Sequence, residues 1–197
     1  MQSPAISSCF PWCCLLVSYS RNHVISHRHD QPHLNGFDGE DMSLSGIAEV
    51  DGRLIKLTHD SPQVFGHTLY TYPVRMKTKA SNMLSSFSST FVFCITPLLP
   101  SVGGHSLSFV MFPLLNLQGI FSSQYLGMLN MSNNGNTSNH VFGVEFDTVQ
   151  VLNCMDINDN YVGINLNSIT STNSSTTEYW PSATVAFSLN YASQQSK

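Results

Sequence analysis

The chain has 197 residues, of which 42% are hydrophobic and 10% are charged, and its formal net charge at pH 7 is −4. This length allows one domain with a sizeable core, and the low charge content is more typical of secreted β-structure than of a cytosolic helical enzyme. The eight basic residues are scattered, so they form no stripe that would neutralise nucleic-acid phosphates. The sequence contains no apolar run of 18 or more residues, the length expected of a membrane-spanning helix.

Residues 1–34 differ in composition from the rest of the chain. The apolar stretch at residues 5–19 has no basic residues before it, and it predicts either a secretory signal or a disordered leader. The four histidines between residues 23 and 33 are expected in a solvated segment, with a metal-binding tract as the alternative. The five cysteines give no disulfide framework, and Cys94 and Cys154 are expected to be small buried hydrophobic residues.

From residue 44 onward the pattern is that of β-structure. Asp51 and Gly52 form a tight-turn signal between two short apolar runs, which predicts a β-hairpin. Predicted strands lie within residues 44–50, 53–58, 87–95, 105–112, 141–148, 161–169 and 183–191. No segment of ten or more residues has a helical period. Short strands separated by turn signals predict an all-β sandwich or barrel.

Three Asn-x-Ser/Thr sequons occur, at Asn130, Asn136 and Asn173. Each is expected in a loop, where an attached oligosaccharide is sterically tolerated. The sequons therefore support a glycoprotein of the secretory pathway.

The most informative segment is Val141-Phe-Gly-Val-Glu-Phe-Asp-Thr148. Side chains alternate faces on a strand, so Glu145 and Asp147 should lie side by side, opposite the apolar face. Adjacent carboxylates repel unless a proton or cation lies between them. Asp156 follows nine residues later, and such oxygen ligands suit Ca²⁺ or Mn²⁺. The alternative interpretation is a strand end with solvated acidic side chains.

This segment, continued by Asp156-Ile-Asn-Asp-Asn-Tyr-Val-Gly-Ile-Asn-Leu-Asn-Ser-Ile169, resembles the metal-binding segment of legume (L-type) lectins. It is most similar to the lectin ectodomains of plant L-type lectin receptor kinases. Further stretches agree in family order, at residues 35–38, 44–49, 85–93, 103–109 and 123–127. The resemblance covers residues 35–180.

The resemblance implies an antiparallel β-sandwich of the concanavalin-like jelly-roll type. We expect it to be incomplete at the C-terminus, because residues 181–197 diverge from the family pattern and supply only one replacement strand. The family also implies a secreted or extracellular location, a carbohydrate or glycoconjugate as partner, and a homodimer as one form of assembly.

The family binds one Mn²⁺ and one Ca²⁺ beside a shallow sugar pocket. By resemblance, Glu145 and Asp147 are Mn²⁺ ligands, Asp147 and Asp156 bridge both ions, and Val149 offers its backbone carbonyl to Ca²⁺. The family's metal-binding histidine is replaced here by Tyr161, whose phenol is a poor substitute for imidazole at neutral pH.

Three positions carry the sugar contacts of the family, and all three are changed. His105 stands where an aspartate accepts two sugar hydroxyls, and a neutral imidazole accepts only one. Gln124 replaces a glycine whose backbone N–H donates to the sugar; that N–H is retained. Val151 replaces the asparagine that binds both Ca²⁺ and sugar, and Asn153 is the nearest substitute. Weakened metal and sugar binding is the expectation.

Two other classes compete with carbohydrate binding. Glucanases of similar shape use a Glu-x-Asp-x-Glu strand, but Glu145-Phe-Asp147 is followed by Thr148 and Val149, so no enzyme is expected. A binding-dead lectin-like interaction protein, or a truncated receptor fragment, is the remaining alternative.

Overall fold

The computed structural model describes residues 14–16, 42–52, 54–59, 64–70, 87–95, 106–113, 123–177 and 185–191. Within these ranges the chain forms eleven β-strands and three short 3-10 turns, and no α-helix. The strands are β1 (Cys14–Leu16), β2 (Met42–Gly46), β3 (Glu49–Asp51), β4 (Leu54–Lys56), β5 (Gly66–Tyr70), β6 (Phe87–Phe93), β7 (Ser106–Met111), β8 (Phe142–Asp147), β9 (Tyr161–Leu166), β10 (Asn173–Thr176) and β11 (Val185–Tyr191). The predicted all-β class is confirmed.

Seven strands form the larger sheet, in the order β10-β9-β8-β7-β1-β5-β2. Its pairs are antiparallel, except that β1 runs parallel to both of its neighbours, β5 and β7. The sandwich is therefore antiparallel as predicted apart from this strand. Cys14–Leu16 belongs to the predicted leader and nevertheless pairs within the sheet. The division of the chain at residues 34 and 180 stays a prediction.

A second layer is formed by β6 and β11, which pair antiparallel along seven residues. Side chains of β6 pack against the larger sheet: the ring centroid of Phe91 lies 6.0 Å from that of Phe109, and the centroid of Phe93 lies 4.8 Å from that of Phe146. The core between the layers consists of Leu57, Phe91, Leu107, Phe109, Val144 and Phe146. Burying each such side chain contributes about 1.5–3 kcal/mol, so this cluster holds the two layers together.

The predicted hairpin around residues 51 and 52 is confirmed. Strands β3 and β4 pair antiparallel, and Gly52 has a φ of +63°, a conformation that glycine adopts without steric cost. Lys56 lies 2.7 Å from the Asp51 carboxylate in an exposed ion pair, which contributes little to stability.

Besides the short strand β1, two strands were not predicted, for different reasons. Strand β5 is buried along its whole length, so it has no alternation of polar and apolar residues. Strand β10 is polar and lies at the edge of the sheet. It begins at Asn173, so the expectation that this sequon lies in a loop is wrong; the side chain is exposed on the edge strand.

The two cysteines that were predicted to be buried behave differently. Cys154 is buried, as predicted, whereas Cys94 is exposed, so the prediction for Cys94 is wrong. Cys94 lies just past the end of β6, where the chain leaves the core between the layers.

Candidate functional site

Polar side chains occupy one face of the sheet where β8 and β9 meet. Val144 and Phe146 belong to the core between the layers, so alternation along β8 sends Glu145 and Asp147 to the opposite face. Tyr161 of β9 pairs directly with Asp147. The predicted separation of faces is confirmed. Glu145 and Asp147 are only 2% and 3% exposed, which rules out the alternative of solvated acidic side chains.

Asp156 reaches the same place from the loop that follows β8. One carboxylate oxygen from each of Glu145, Asp147 and Asp156 lies within 4.8 Å of the others, so the predicted convergence of these three residues is confirmed. Burial is the main cause that raises the pKa of each, and the charge of Asp147 helps to bring the pKa of Glu145 to about 8. The cluster therefore needs a proton or a cation to offset its charge.

Tyr161 connects the carboxylates to one another. Its hydroxyl is hydrogen-bonded to Glu145 Oε1 and lies 2.7 Å from Asp156 Oδ1. A hydroxyl has one hydrogen, so Tyr161 donates to one of the two carboxyl groups, and the other contact requires a proton on the carboxyl group itself. The second oxygen of Glu145 accepts from the Asn165 amide. Both oxygens of Glu145 thus have neutral partners.

The carboxylates of Asp147 and Asp156 accept hydrogen bonds from the backbone of the loop after β8 and from one side chain of β7. Asp147 Oδ1 accepts from the Ser106 hydroxyl at 2.5 Å and from the Val149 N–H at 2.9 Å. Asp156 Oδ2 accepts from the Val151 N–H at 2.6 Å. These bonds fix the loop over the cluster, and they lower the two pKa values against the effect of burial.

A small pocket opens above the cluster. Its lining residues are Gln124, Leu126, Glu145, Asp147, Val151, Cys154, Asp156 and Ile169. Two loops cover the polar face of the sheet here: one contains the 3-10 turn Ser123–Tyr125 and the other the turn Leu152–Cys154. The pocket has an apolar wall and an acidic floor.

The structure brings most of the predicted site residues together. Glu145, Asp147, Asp156 and Tyr161 form the cluster, Gln124 and Val151 line the pocket, and Val149 donates its N–H to Asp147. His105 lies outside the described residues. Asn153, the expected substitute for an amide at position 151, is exposed and does not line the pocket.

Sequence reasoning missed the residues that orient the carboxylates. Ser106 and Asn165 are almost fully buried, and Ser171 donates to Asn165 Oδ1 at 2.7 Å. Asn165 is four residues after Tyr161, so strand alternation places the two side chains on one face. That signal was present in the sequence, whereas Ser106 needed the register of β7 against β8.

The residues present fit a divalent cation in part. Three converging carboxylates are the oxygen ligands that Ca²⁺ and Mn²⁺ accept. Tyr161 does not fit the role of the imidazole, because burial and the charge of Glu145 raise its pKa further above the ordinary value, and it stays a neutral donor. Val151 offers no side-chain oxygen.

The described part of the chain is thus an all-β sandwich with an acidic pocket on one face of its larger sheet. The sequence pattern that describes the legume lectin domain matches residues 31–196. The L-type lectin-domain containing receptor kinase IV.2 of Arabidopsis thaliana is 43% identical over 86% of this chain and 24% of its own length. The chain therefore belongs to the legume lectin domain family.

Solved structures agree on the fold. Lectin II from Ulex europaeus is 23% identical, covers 78% of this chain and 67% of its own, and has a TM-score of 0.70. A lectin from Bauhinia forficata in complex with GalNAc is 25% identical, with coverage of 78% and 68% and a TM-score of 0.63. The predicted concanavalin-like sandwich is thereby supported at the level of fold.

The comparisons also set the scope of what the chain represents. It spans about a quarter of the length of the curated receptor-kinase relative it matches. The legume lectin domain is a non-enzymatic family, and the kinase domain of those relatives lies outside the matched part. None of the helices in the described ranges is long and apolar enough to cross a membrane.

Proposed function

We propose that this chain binds carbohydrate reversibly in the pocket above the acidic cluster, with metal and sugar affinities well below those of an intact lectin. The observation that supports this most directly is the pocket itself: Gln124 and Val151 line it beside Asp147 and Asp156, in a chain of the legume lectin domain family. Carboxylates and amides are the groups that accept and donate hydrogen bonds to sugar hydroxyls.

The part of the pocket near Gln124 offers the clearest sugar-binding group. Its backbone N–H corresponds to the donor that the family uses, and the side chain is half-buried at the pocket wall. Asp156 Oδ1 is engaged by Tyr161 and Oδ2 by the Val151 N–H, so a sugar competes with these bonds. We infer that His105 contributes one further acceptor to the sugar.

Asp147 and Asp156, with the Val149 carbonyl, would hold Ca²⁺, and Glu145 would complete a Mn²⁺ site. When bound, a divalent cation supplies the positive charge that offsets the carboxylates and holds the loop after β8. Without it, the Tyr161 hydroxyl and a proton on Glu145 take over part of that role.

Two substitutions weaken the metal site. Tyr161 stands in place of an imidazole ligand, and Val151 removes an amide oxygen. Loss of a group that merely orients a ligand costs about 10–100-fold in metal affinity, so losing two ligands should cost at least about that much. A loop not held by the ion must be ordered by the sugar itself, which lowers sugar affinity further.

The test is a pair of reversions, Val151→Asn and Tyr161→His, made singly and together. Calorimetry measures Ca²⁺ affinity, and binding to GalNAc and to a glycan array measures carbohydrate affinity. We expect the double variant to gain at least about tenfold in Ca²⁺ affinity and to bind sugar more tightly. Asn153→Ala, at an exposed neighbouring position, is the matched control and should change neither.

The proposal fails if the unmodified chain already binds Ca²⁺ and sugar as well as the double variant does. A loss of Ca²⁺ binding in Asn153→Ala would instead identify Asn153 as the ligand that replaces the amide at position 151.

A binding-dead interaction protein is the second candidate function. One observation favours it: both oxygens of Glu145 have neutral hydrogen-bond partners, so the cluster is satisfied in part without an ion. Elemental analysis of the purified chain for calcium and manganese discriminates the two functions, since the binding-dead protein would carry neither.

We further infer an extracellular location, because the relatives named as receptor kinases carry this domain together with a kinase. The sequons at Asn130 and Asn136, which lie in the described turn-rich segment, agree with that location. A homodimer and a secretory signal in residues 1–34 remain proposals that size-exclusion chromatography and N-terminal sequencing of secreted protein would test.

A further inference from the structure

His67 is the second residue of β5, and its side chain is fully buried. Its Nε2 lies 3.0 Å from the Gly127 carbonyl oxygen, and its Nδ1 lies 3.1 Å from the Ser45 hydroxyl on β2. A carbonyl oxygen only accepts, so Nε2 carries the hydrogen and Nδ1 accepts from Ser45. Both nitrogens of a neutral imidazole are therefore used, and Phe65 packs against the ring at a centroid distance of 4.9 Å.

The loop that His67 contacts has an unusual backbone. Leu126 and Gly127 are consecutive residues with positive φ, +51° and +64°, a conformation that costs energy for a residue with a side chain. A Cβ added to Gly127 would lie 2.4 Å from His67 Nε2. The backbone thus approaches the imidazole more closely than any other residue type would allow.

The same loop forms one wall of the candidate sugar pocket. Gln124 and Leu126 line that pocket. The Met128 N–H donates to the Tyr125 carbonyl at 2.8 Å and closes a turn that contains Leu126 and Gly127. A bond to Gly127 therefore fixes the section of chain that carries the Gln124 N–H.

We propose that His67 is a positioning residue for this pocket loop, residues 123–129: its Nε2–H holds the Gly127 carbonyl and thereby sets the position of the Gln124 backbone donor. The effect on sugar binding rests on the proposed carbohydrate-binding function, whereas the effect on the loop follows from the hydrogen bond between His67 and Gly127 alone. His67 does not line the pocket, so it acts through the loop.

The two ring nitrogens can be separated by substitution. The amide nitrogen of Gln reaches about as far as Nε2, and that of Asn about as far as Nδ1. His67→Gln therefore keeps a donor for Gly127, whereas His67→Asn keeps a group only near Ser45. Ser45→Ala removes the second contact and leaves the bond to Gly127.

The first measurement is amide hydrogen exchange of the 123–129 peptide in the full chain, followed by mass spectrometry. We expect His67→Asn to speed exchange there by about tenfold, the scale set by losing one buried hydrogen bond. We expect His67→Gln to stay near the unmodified protein, and Ser45→Ala to leave this peptide unchanged. The second measurement is GalNAc affinity, which should fall in His67→Asn and recover in His67→Gln.

Equal exchange of the loop peptide in His67→Asn and His67→Gln overturns the proposal, as does faster exchange spread evenly over all peptides. If His67→Asn does not fold, Gly127→Ala serves instead, and unchanged loop exchange in that variant overturns the proposal. Failure of the proposed function gives a different result: no variant would bind GalNAc, while hydrogen exchange of the loop would still differ between His67→Asn and His67→Gln.

Discussion

Replacing Glu145 with Gln is expected to stabilise the metal-free protein. The pKa of Glu145 is about 8 in the folded chain, against 4.5 for an ordinary glutamate. A raised folded-state pKa means that the stability from this group is complete below pH 4.5 and is lost as the pH rises through about 8. Each pKa unit corresponds to about 1.36 kcal/mol, so about 3 kcal/mol is lost at pH 7 and about 5 kcal/mol above pH 8.

A glutamine imitates the protonated carboxyl at every pH. Its amide can donate to the Tyr161 hydroxyl, and its oxygen can accept from Asn165, the two partners that Glu145 has in the structure. We therefore expect Glu145→Gln to be more stable than the unmodified chain by up to about 3 kcal/mol at pH 7, or roughly 6–12 °C in Tm for a chain of this size. The two proteins should be nearly equal in stability at pH 4.5.

Urea unfolding in the presence of a chelator, at pH 5 and at pH 8, measures this difference. Asp51→Asn is the matched control, because Asp51 is exposed and its ion pair with Lys56 lowers the pKa of its carboxyl; it should show no gain at pH 8. A Glu145→Gln protein that is no more stable than the unmodified chain at pH 8 would refute the reasoning. With saturating Mn²⁺ the difference in stability should shrink or change sign, because the proposed Mn²⁺ site uses the negative charge of Glu145.

Three further predictions concern single side chains. Burial lowers the pKa of His67 to about 4 from 6.5. The stability from the neutral imidazole is therefore complete above pH 6.5, and about 3 kcal/mol of it is lost as the pH falls through 4. Denaturant titrations at several pH values should show that this pH dependence of the unfolding free energy is absent in His67→Gln. Tyr161→Phe removes a donor to a carboxylate and should cost about 1.5–3 kcal/mol in chelator, measured by urea unfolding. Phe146→Ala, in the core between the layers, should cost about 3–5 kcal/mol, and a Tm unchanged by it would contradict the packing described here.

The alternation of side chains along β8 predicted which residues share a face. It placed Glu145 beside Asp147 and opposite Val144, as the structure does. It could not predict that both carboxylates are buried, because that depends on the loop after β8 folding back over them. Nor could it show that Tyr161 lies opposite Asp147, since the register of β9 is a property of pairing and not of either strand alone.

Other parts of the molecule gave no usable signal. Strand β5 is buried on both sides, so its residues do not alternate, and a lone histidine such as His67 is not distinguishable from any other core residue. Strand β1 pairs through three residues, too few for a pattern. Strand patterning predicted the all-β class, and the family resemblance predicted the type of sandwich.

The position of Asn173 at the start of β10 bears on how the protein behaves at high concentration. β10 forms one edge of the seven-stranded sheet, and unpaired edge strands are templates on which a second chain can add a strand and begin to aggregate. An oligosaccharide attached to the exposed Asn173 would be a bulky, hydrated barrier along that edge. This edge strand therefore carries its own attachment point for a solubilising group.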